Sequence, residues 1–334
     1  MFTGADLRRW MSRTLPGRVM SWGLEPVRVE GLMLWERLRQ PLLLDQSYLK
    51  HLTQITAIIC LTMPLPSINS LRVMKIHIIQ LCQRVPNFIR VSLLMARSSS
   101  WEDEMAHAAA WLALAHQGTT EETTYLTESQ NYLKDDFEQY MWALGWNDKR
   151  GLVNFLLYHQ LQDSRFSGNL ETFIGRWLPG NDVPYTPLGL AFRLEWGNNR
   201  YAANAAFLSL LAASEGINEQ AYRDFAKSQI DYMLGLVDGG RSYVVGFDSE
   251  SPKRAHHRAA SCPLPEDDAT CNWADYHDDV DNPNTLYGAL VGGPDANDLY
   301  IDERTDFTKN GVSCDYNAGF TGALAGLLHF GERS

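Results

Sequence analysis

RYAANAAFLSLLAAS, residues 200–214, is small and apolar on nearly every face. A segment of that kind forms a helix wrapped by neighbours on all sides, and Gly216 stops it. Working outward, Asn218–Leu234 sets Tyr222, Phe225, Ala226, Ile230 and Met233 along one stripe, with Gly235 beyond. Upstream, Ser98–Ser100 can cap a helix whose first turn holds Glu102, Asp103 and Glu104, favourable at the positive end of the dipole. Met105, Ala108, Ala109, Leu112 and Ala115 repeat at helical spacing until Gly118. Further helices are expected over Glu121–Tyr140, Leu152–Leu161 and Asn317–Phe330, with WNDKRG as a loop. Alternating β-branched runs are few, Ser242–Val245 being the main one.

The expected class is therefore all-α. Between the last helices lie residues 238–316, rich in Gly, Pro, Asn and Asp and nearly free of helical period. Loops of that length in a compact domain are usually functional. Paired helices with long loops at one end suggest a toroid of helical hairpins with a cleft on top.

The chain has 334 residues and a formal charge of −11. That balance argues against nucleic acid, whose phosphates require clustered Lys and Arg. Residues 1–97 hold 13 basic and 5 acidic side chains; residues 98–334 hold 16 and 35. The first segment is thus basic and the second acidic. Within 1–97 the local signals disagree: ITAIICLTMPLPSI is apolar on every face, and VMKIHIIQLCQRV superimposes helix and strand patterns. We read 1–97 as an atypical segment and 98–334 as the folded unit. No secretory leader is visible, because Arg8, Arg9, Arg13 and Arg18 interrupt the first residues. The most apolar run, Ile55–Pro64, is too short to cross a bilayer, so membrane insertion is not expected. Of the five cysteines, Cys262 and Cys271 bracket a Pro-containing loop that either closes on a disulfide or carries two free thiols.

Three stretches carry candidate chemistry. YIDERTDFTKNGVSCDYNAGF, residues 300–320, interleaves Asp302, Glu303, Asp306 and Asp315 with Tyr300, Phe307, Tyr316 and Phe320. Carboxylates beside flat apolar rings suit a sugar-cleaving cleft, where acids move protons and rings stack on pyranose faces. A solvated acidic loop is the plainer reading. RSYVVGFDSESPKRAHHRAAS, residues 241–261, offers His256, His257 and Arg258 as donors to sugar hydroxyls. CNWADYHDDVDNPNTLYGALVGGPDAND, residues 271–298, offers Trp273 and Tyr287 as sugar platforms. Its Asp278, Asp279 and Asp281 lack EF-hand spacing, so a solvated loop is favoured there over calcium.

The 300–320 stretch resembles the C-terminal signature of glycoside hydrolase family 9, the endo-β-1,4-glucanases. Its pattern runs aromatic-x-Asp-x4-aromatic-x3-Glu-x-small-x3-Asn-small, and Tyr300, Asp302, Phe307, Ser313, Asn317 and Ala318 fall in register. The SYVVGF…HHR portion resembles the family's first signature, and WEDEMAHAAAWLALA its DEL-x-WAAAWLY helix. The resemblance covers about residues 98–334. It implies an (α/α)6 barrel, incomplete on the N-terminal side, in an extracellular enzyme. Water would hydrolyse β-1,4-glucan with inversion, without cofactor or metal. By carry-over His256 is the active-site His, Arg258 its partner, and Asp302 the supporting acid. Arg304 and Asp306 complete a D-x-R-x-D pattern, and Tyr316 joins the substrate-binding set. The family's proton-donating Glu would stand at 311, where this chain has Gly311. The family's base comes from an Asp-Ala-Gly-Asp motif, which does not occur in these 334 residues. The resemblance therefore implies a cellulase scaffold without its proton-transfer pair. The alternatives are a non-catalytic β-glucan-binding relative and a defective gene product.

Overall fold

A computed structural model describes residues 101–133, 142–264 and 270–331. The expectations for segment 1–97, and for a cap at Ser98–Ser100, lie outside the described residues. The helices run α1 Glu102–Ala115, α2 Thr120–Leu133, α3 Arg150–Leu161, α4 Ser164–Gly175, α5 Asn198–Ser214 and α6 Glu219–Met233. Three short helices follow, α7 Arg258–Ser261, α8 Trp273–His277 and α9 Phe307–Asn310, before the long α10 Cys314–Gly331. The expected all-α class holds among the described residues. Ser242–Val245 makes isolated bridges, Leu234 with Ser242 and Val244 with Leu290.

The connections alternate. Residues 116–119, 162–163 and 215–218 are short turns; 134–149, 176–197 and 234–313 are long. Short turns make antiparallel hairpins α1/α2, α3/α4 and α5/α6, and α1, α3, α5 and α10 pack in succession. Every long connection therefore emerges where α1, α3, α5 and α10 begin. This is the arrangement of a toroid of hairpins.

Each pairing has a local cause. The α1 first turn is acidic, as expected, but its N-cap is Trp101, which makes no side-chain cap bond. Ser129 Oγ donates to Ala106 O at 2.9 Å and ties α2 to α1. Asn169 Nδ2 donates to Asn154 Oδ1 at 2.9 Å between α3 and α4. Helix α4 was not expected from the sequence. Asp163 caps it by accepting from Arg165 N, and Phe166, Leu170, Phe173 and Ile174 are buried beneath it.

Helix α5 is buried along most of its length, as its composition demands. It meets α10 across glycines. A Cβ at Gly319 would stand 2.0 Å from Asn204 Oδ1 and 2.8 Å from Asn204 Cα; one at Gly322 would stand 2.6 Å from the Phe207 ring. Only glycine lets the helices approach this closely. Gly319→Ala should cost about 1–3 kcal/mol through overpacking. Gly168→Ala in α4, where a Cβ meets nothing within 4 Å, should be neutral or stabilising. Urea midpoints of the two variants check this.

At the head of α1, burial and the neighbouring Glu104 carboxyl push Asp103 up to about 7. Burial pushes His107 down to about 4, and its Nε2 accepts from Trp111 Nε1 at 2.9 Å. Asp103 keeps its proton longer when folded, so its share of stability falls as pH rises from about 4 to about 7. His107 loses its proton sooner when folded, so its share rises with pH between about 4 and 6.5. In the native chain the slopes oppose each other. Asp103→Asn should leave stability rising across that window, and His107→Gln should leave it falling; urea midpoints at stepped pH read both signs.

Candidate active site

The site assembles where residues 302–311 run beside 253–256. Asp302 accepts the backbone N–H of Lys253 at 2.7 Å and of Arg254 at 3.1 Å, one on each carboxylate oxygen. His256 N–H donates to Asn310 O at 2.8 Å, forming a parallel bridge between His256 and Gly311. His256 Nδ1 lies 2.9 Å from Arg304 O. A carbonyl only accepts, so Nδ1 carries the proton and Nε2 is left for another partner. Asn310 is fully buried; its Nδ2 donates to Ile301 O at 2.9 Å, and its Oδ1 accepts from the Tyr300 hydroxyl.

Arg304 is buried, 3 % exposed. Its guanidinium donates to Asn282 Oδ1 at 2.7 Å and to the carbonyls of Asp275 at 2.6 Å, Asp278 at 2.9 Å and Val280 at 2.7 Å. Asp306 caps α9, accepting from Thr308 N at 3.1 Å and Lys309 N at 3.2 Å. Burial pushes its carboxyl up, but the bond from the Thr308 hydroxyl, these backbone bonds and the Lys309 charge outweigh it and hold the group below its ordinary value. Tyr316 is 6 % exposed and lies over Gly197, where a Cβ would stand 2.3 Å from its hydroxyl. Burial pushes the Tyr316 phenol up, against the lowering effect of Arg200.

Asp302, carried over as the supporting acid, holds loop backbone; Arg304 and Asp306, carried over as substrate-binding residues, hold Asn282 with three loop carbonyls and the first turn of α9 respectively. Tyr316 is covered. Arg258, first residue of α7, is exposed. Trp273 is 77 % exposed and Tyr287 66 %, the latter with its ring over Gly246.

Four ring contacts run from α8 through His256 and α9 to the turn before α5. Trp273 meets Tyr276 at 5.6 Å, Tyr276 meets His256 at 5.8 Å, His256 meets Phe307 at 6.0 Å, and Phe307 meets Trp196 at 5.2 Å. Both ends of the row reach solvent, since Trp273 is 77 % and Trp196 38 % exposed. The sequence reading did not place Tyr276 or Trp196 in the site. Phe307 stood within the quoted stretch, whereas Trp196, in the turn before α5, carries no local signal.

Gly311 stands at the middle of this row with φ −60° and ψ 145°, ordinary extended backbone. A Cβ there would lie 2.6 Å from Phe307 O, a backbone atom, and 3.8 Å from the Tyr316 hydroxyl. The backbone has closed against the position. Glu303, nearby in sequence, is exposed and accepts from the Thr305 hydroxyl. Cys262 and Cys271 form a disulfide between α7 and α8, while Cys314 is free and exposed. Arg254 pairs with Asp279 and, at 3.8 Å, with Asp281. Among the described residues no group of three or more His, Cys, Asp or Glu could hold a metal ion. Nor is any described helix long and apolar enough to cross a membrane.

Comparison with known proteins places this geometry. The profile of glycosyl hydrolase family 9 matches residues 95–324. Endoglucanase A of Bacillus pumilus is 37 % identical over 252 residues, covering 70 % of this chain and 36 % of the relative. An endoglucanase of Dictyostelium discoideum is 38 % identical over 235 residues, covering 69 % and 31 %. The chain thus spans about a third of the length of these relatives. Among solved structures, the endoglucanase of the termite Nasutitermes takasagoensis superposes with a TM-score of 0.64 at 41 % identity, covering 70 % of this chain and 52 % of that one. Endoglucanase CelQ of Clostridium thermocellum, solved with cellobiose and cellotriose, gives 0.60 at 37 %, covering 69 % and 39 %. The helical hairpins are those of the family's (α/α)6 toroid, and the chain belongs to glycosyl hydrolase family 9, the endo-1,4-β-glucanases.

Proposed function

We propose that this chain holds a β-1,4-glucan segment along the Trp273–Tyr276–His256–Phe307–Trp196 row and does not hydrolyse it. The supporting observation is the row itself: flat rings open to solvent at both ends around an imidazole whose Nε2 is free for a sugar hydroxyl. Arg258 and Tyr287 lie on exposed segments of the same loops and extend the candidate surface. A related structure, CelQ, holds cellobiose and cellotriose. The disulfide at Cys262–Cys271 favours an oxidising compartment, in keeping with an extracellular protein.

Inverting hydrolysis takes one carboxylic acid to protonate the leaving oxygen and one carboxylate to activate water across the ring. Gly311 supplies no acid. The nearest hydroxyl is that of Tyr316, whose raised pKa makes it a poor proton donor at neutral pH. No Asp-Ala-Gly-Asp base motif occurs in the sequence. Losing a general acid alone forfeits about 10²–10⁴-fold.

The purified chain should release no reducing sugar from carboxymethylcellulose above a buffer blank; measurable release contradicts the silent-site reading. Gly311→Glu should not restore activity. Its Cβ collides with the Phe307 carbonyl, and no base is supplied. Cellotetraose should bind, and Trp273→Ala should weaken that binding about tenfold by removing an exposed stacking ring. Calorimetric titration reads the change, and a native chain that fails to bind at millimolar sugar would sink the binding half of the proposal.

A further inference from the structure

Arg304 touches both walls of the ring row without reaching its surface. Its carbonyl accepts from His256 Nδ1 and so sets the tautomer and tilt of the imidazole. Its guanidinium draws together the carbonyls of Asp275, Asp278 and Val280 and the side chain of Asn282. Those bonds fix the path of residues 275–282, which leaves α8 and therefore fixes the rings of Trp273 and Tyr276. Other ties grip its side chains and far end, Asn282 N–H donating to Lys253 O at 3.1 Å, Asn282 Nδ2 to Ala255 O at 2.9 Å, and Arg254 pairing with Asp279 and Asp281; the Arg304 bonds grip the backbone carbonyls next to α8. No α8 side chain is buried, and its own capping box, Asn272 with Asp275, is local.

The chemistry of the contact is unusual. Among the described residues no carboxylate pairs with the guanidinium; its charge is met by neutral oxygens alone. A buried cation is tolerated only where its donors are satisfied. The flat fork of a guanidinium can address several carbonyls spread around one plane, whereas an ammonium is a point donor on a flexible stem. The loop is therefore wrapped around this fork and specific to it.

We propose that Arg304 is a positioning residue, not a sugar ligand: it sets the Trp273–Tyr276 wall and the His256 imidazole in one frame so that a glucan can lie across both. This rests on the proposed glucan binding for its affinity readout, but the loop it predicts can be tested without sugar.

Arg304→Lys is compared with the native chain in two measurements. In ligand-free protein, hydrogen exchange across residues 273–282 should rise at least about tenfold while exchange in α5 is unchanged, because the lost bonds are charge-assisted ones. Unchanged exchange at 273–282 overturns the proposal, whether or not any sugar binds. The second measurement is a double-variant cycle on cellotetraose affinity with Trp273→Ala. Each single change should weaken binding about tenfold or more, and the pair should be no weaker than the worse single change, because Arg304 acts through the Trp273 wall. Losses that multiply in the pair would make Arg304 an independent sugar contact and overturn the proposal. Should Arg304→Lys fail to fold, Arg304→Ala with added methylguanidinium takes its place. Restoration of slow exchange by methylguanidinium but not by methylammonium supports the fork, and equal effects of both cations reject it. A native chain that binds no cellotetraose refutes the proposed function and leaves the exchange result to decide the role of Arg304 in the loop.

Discussion

The tie between residues 302–311 and 253–256 is the constraint on which the rest of the site depends. Asp302 spends both oxygens on the N–H groups of Lys253 and Arg254, and His256 is held at both its backbone and its ring. A carboxylate that accepts backbone N–H bonds is a strong and directional clamp. It places the imidazole between Tyr276 on one side and Phe307 on the other, so rings distant in sequence line up. Without it the two loops would share no register.

That tie stands on a rigid base. Helices α1, α3, α5 and α10 begin at the same end of the hairpin array, and the long connections all emerge there. The close approach of α5 and α10 carries the effect into the site. Gly319 and Gly322 bring the helices together, and Gly197, just before α5, lies under Tyr316 in the first turn of α10. Gly197 N–H also donates to Thr308 O at 3.1 Å, and Asn199 N–H to Gly292 O at 2.9 Å. The turn that carries Trp196 is thus stitched to the segment that carries Phe307. Small residues in the core decide where large rings sit at the surface.

Much of the helical frame was legible in the sequence because its signals are local: acidic first turns, glycines at helix ends, and apolar stripes such as Tyr222–Met233. Helix α4 was not, since Ser, Gly, Asn and Thr dilute its pattern; its Asp163 cap and its buried Phe166 and Phe173 make it a helix only in context. Residue type alone leaves the job of several side chains open. Arg, Asp and Tyr that would donate to or accept from a sugar serve equally for a backbone carbonyl or N–H, and only burial separates the two uses. Arg304 and Tyr316 are covered, while Trp273 stands in solvent. Trp196 joins the row through a turn whose own sequence gives no hint of it.

At the position where the family resemblance calls for a proton donor, the chain has a glycine and a backbone closed upon it. We propose that the ring row holds a glucan across His256 while position 311 offers the glycosidic oxygen no proton. Crystals of the chain soaked with cellotetraose test it most directly. The account predicts an intact tetrasaccharide lying along Trp273, His256, Phe307 and Trp196, with its glycosidic bonds unbroken. Cleaved product in the site, or sugar bound elsewhere on the molecule, would contradict it.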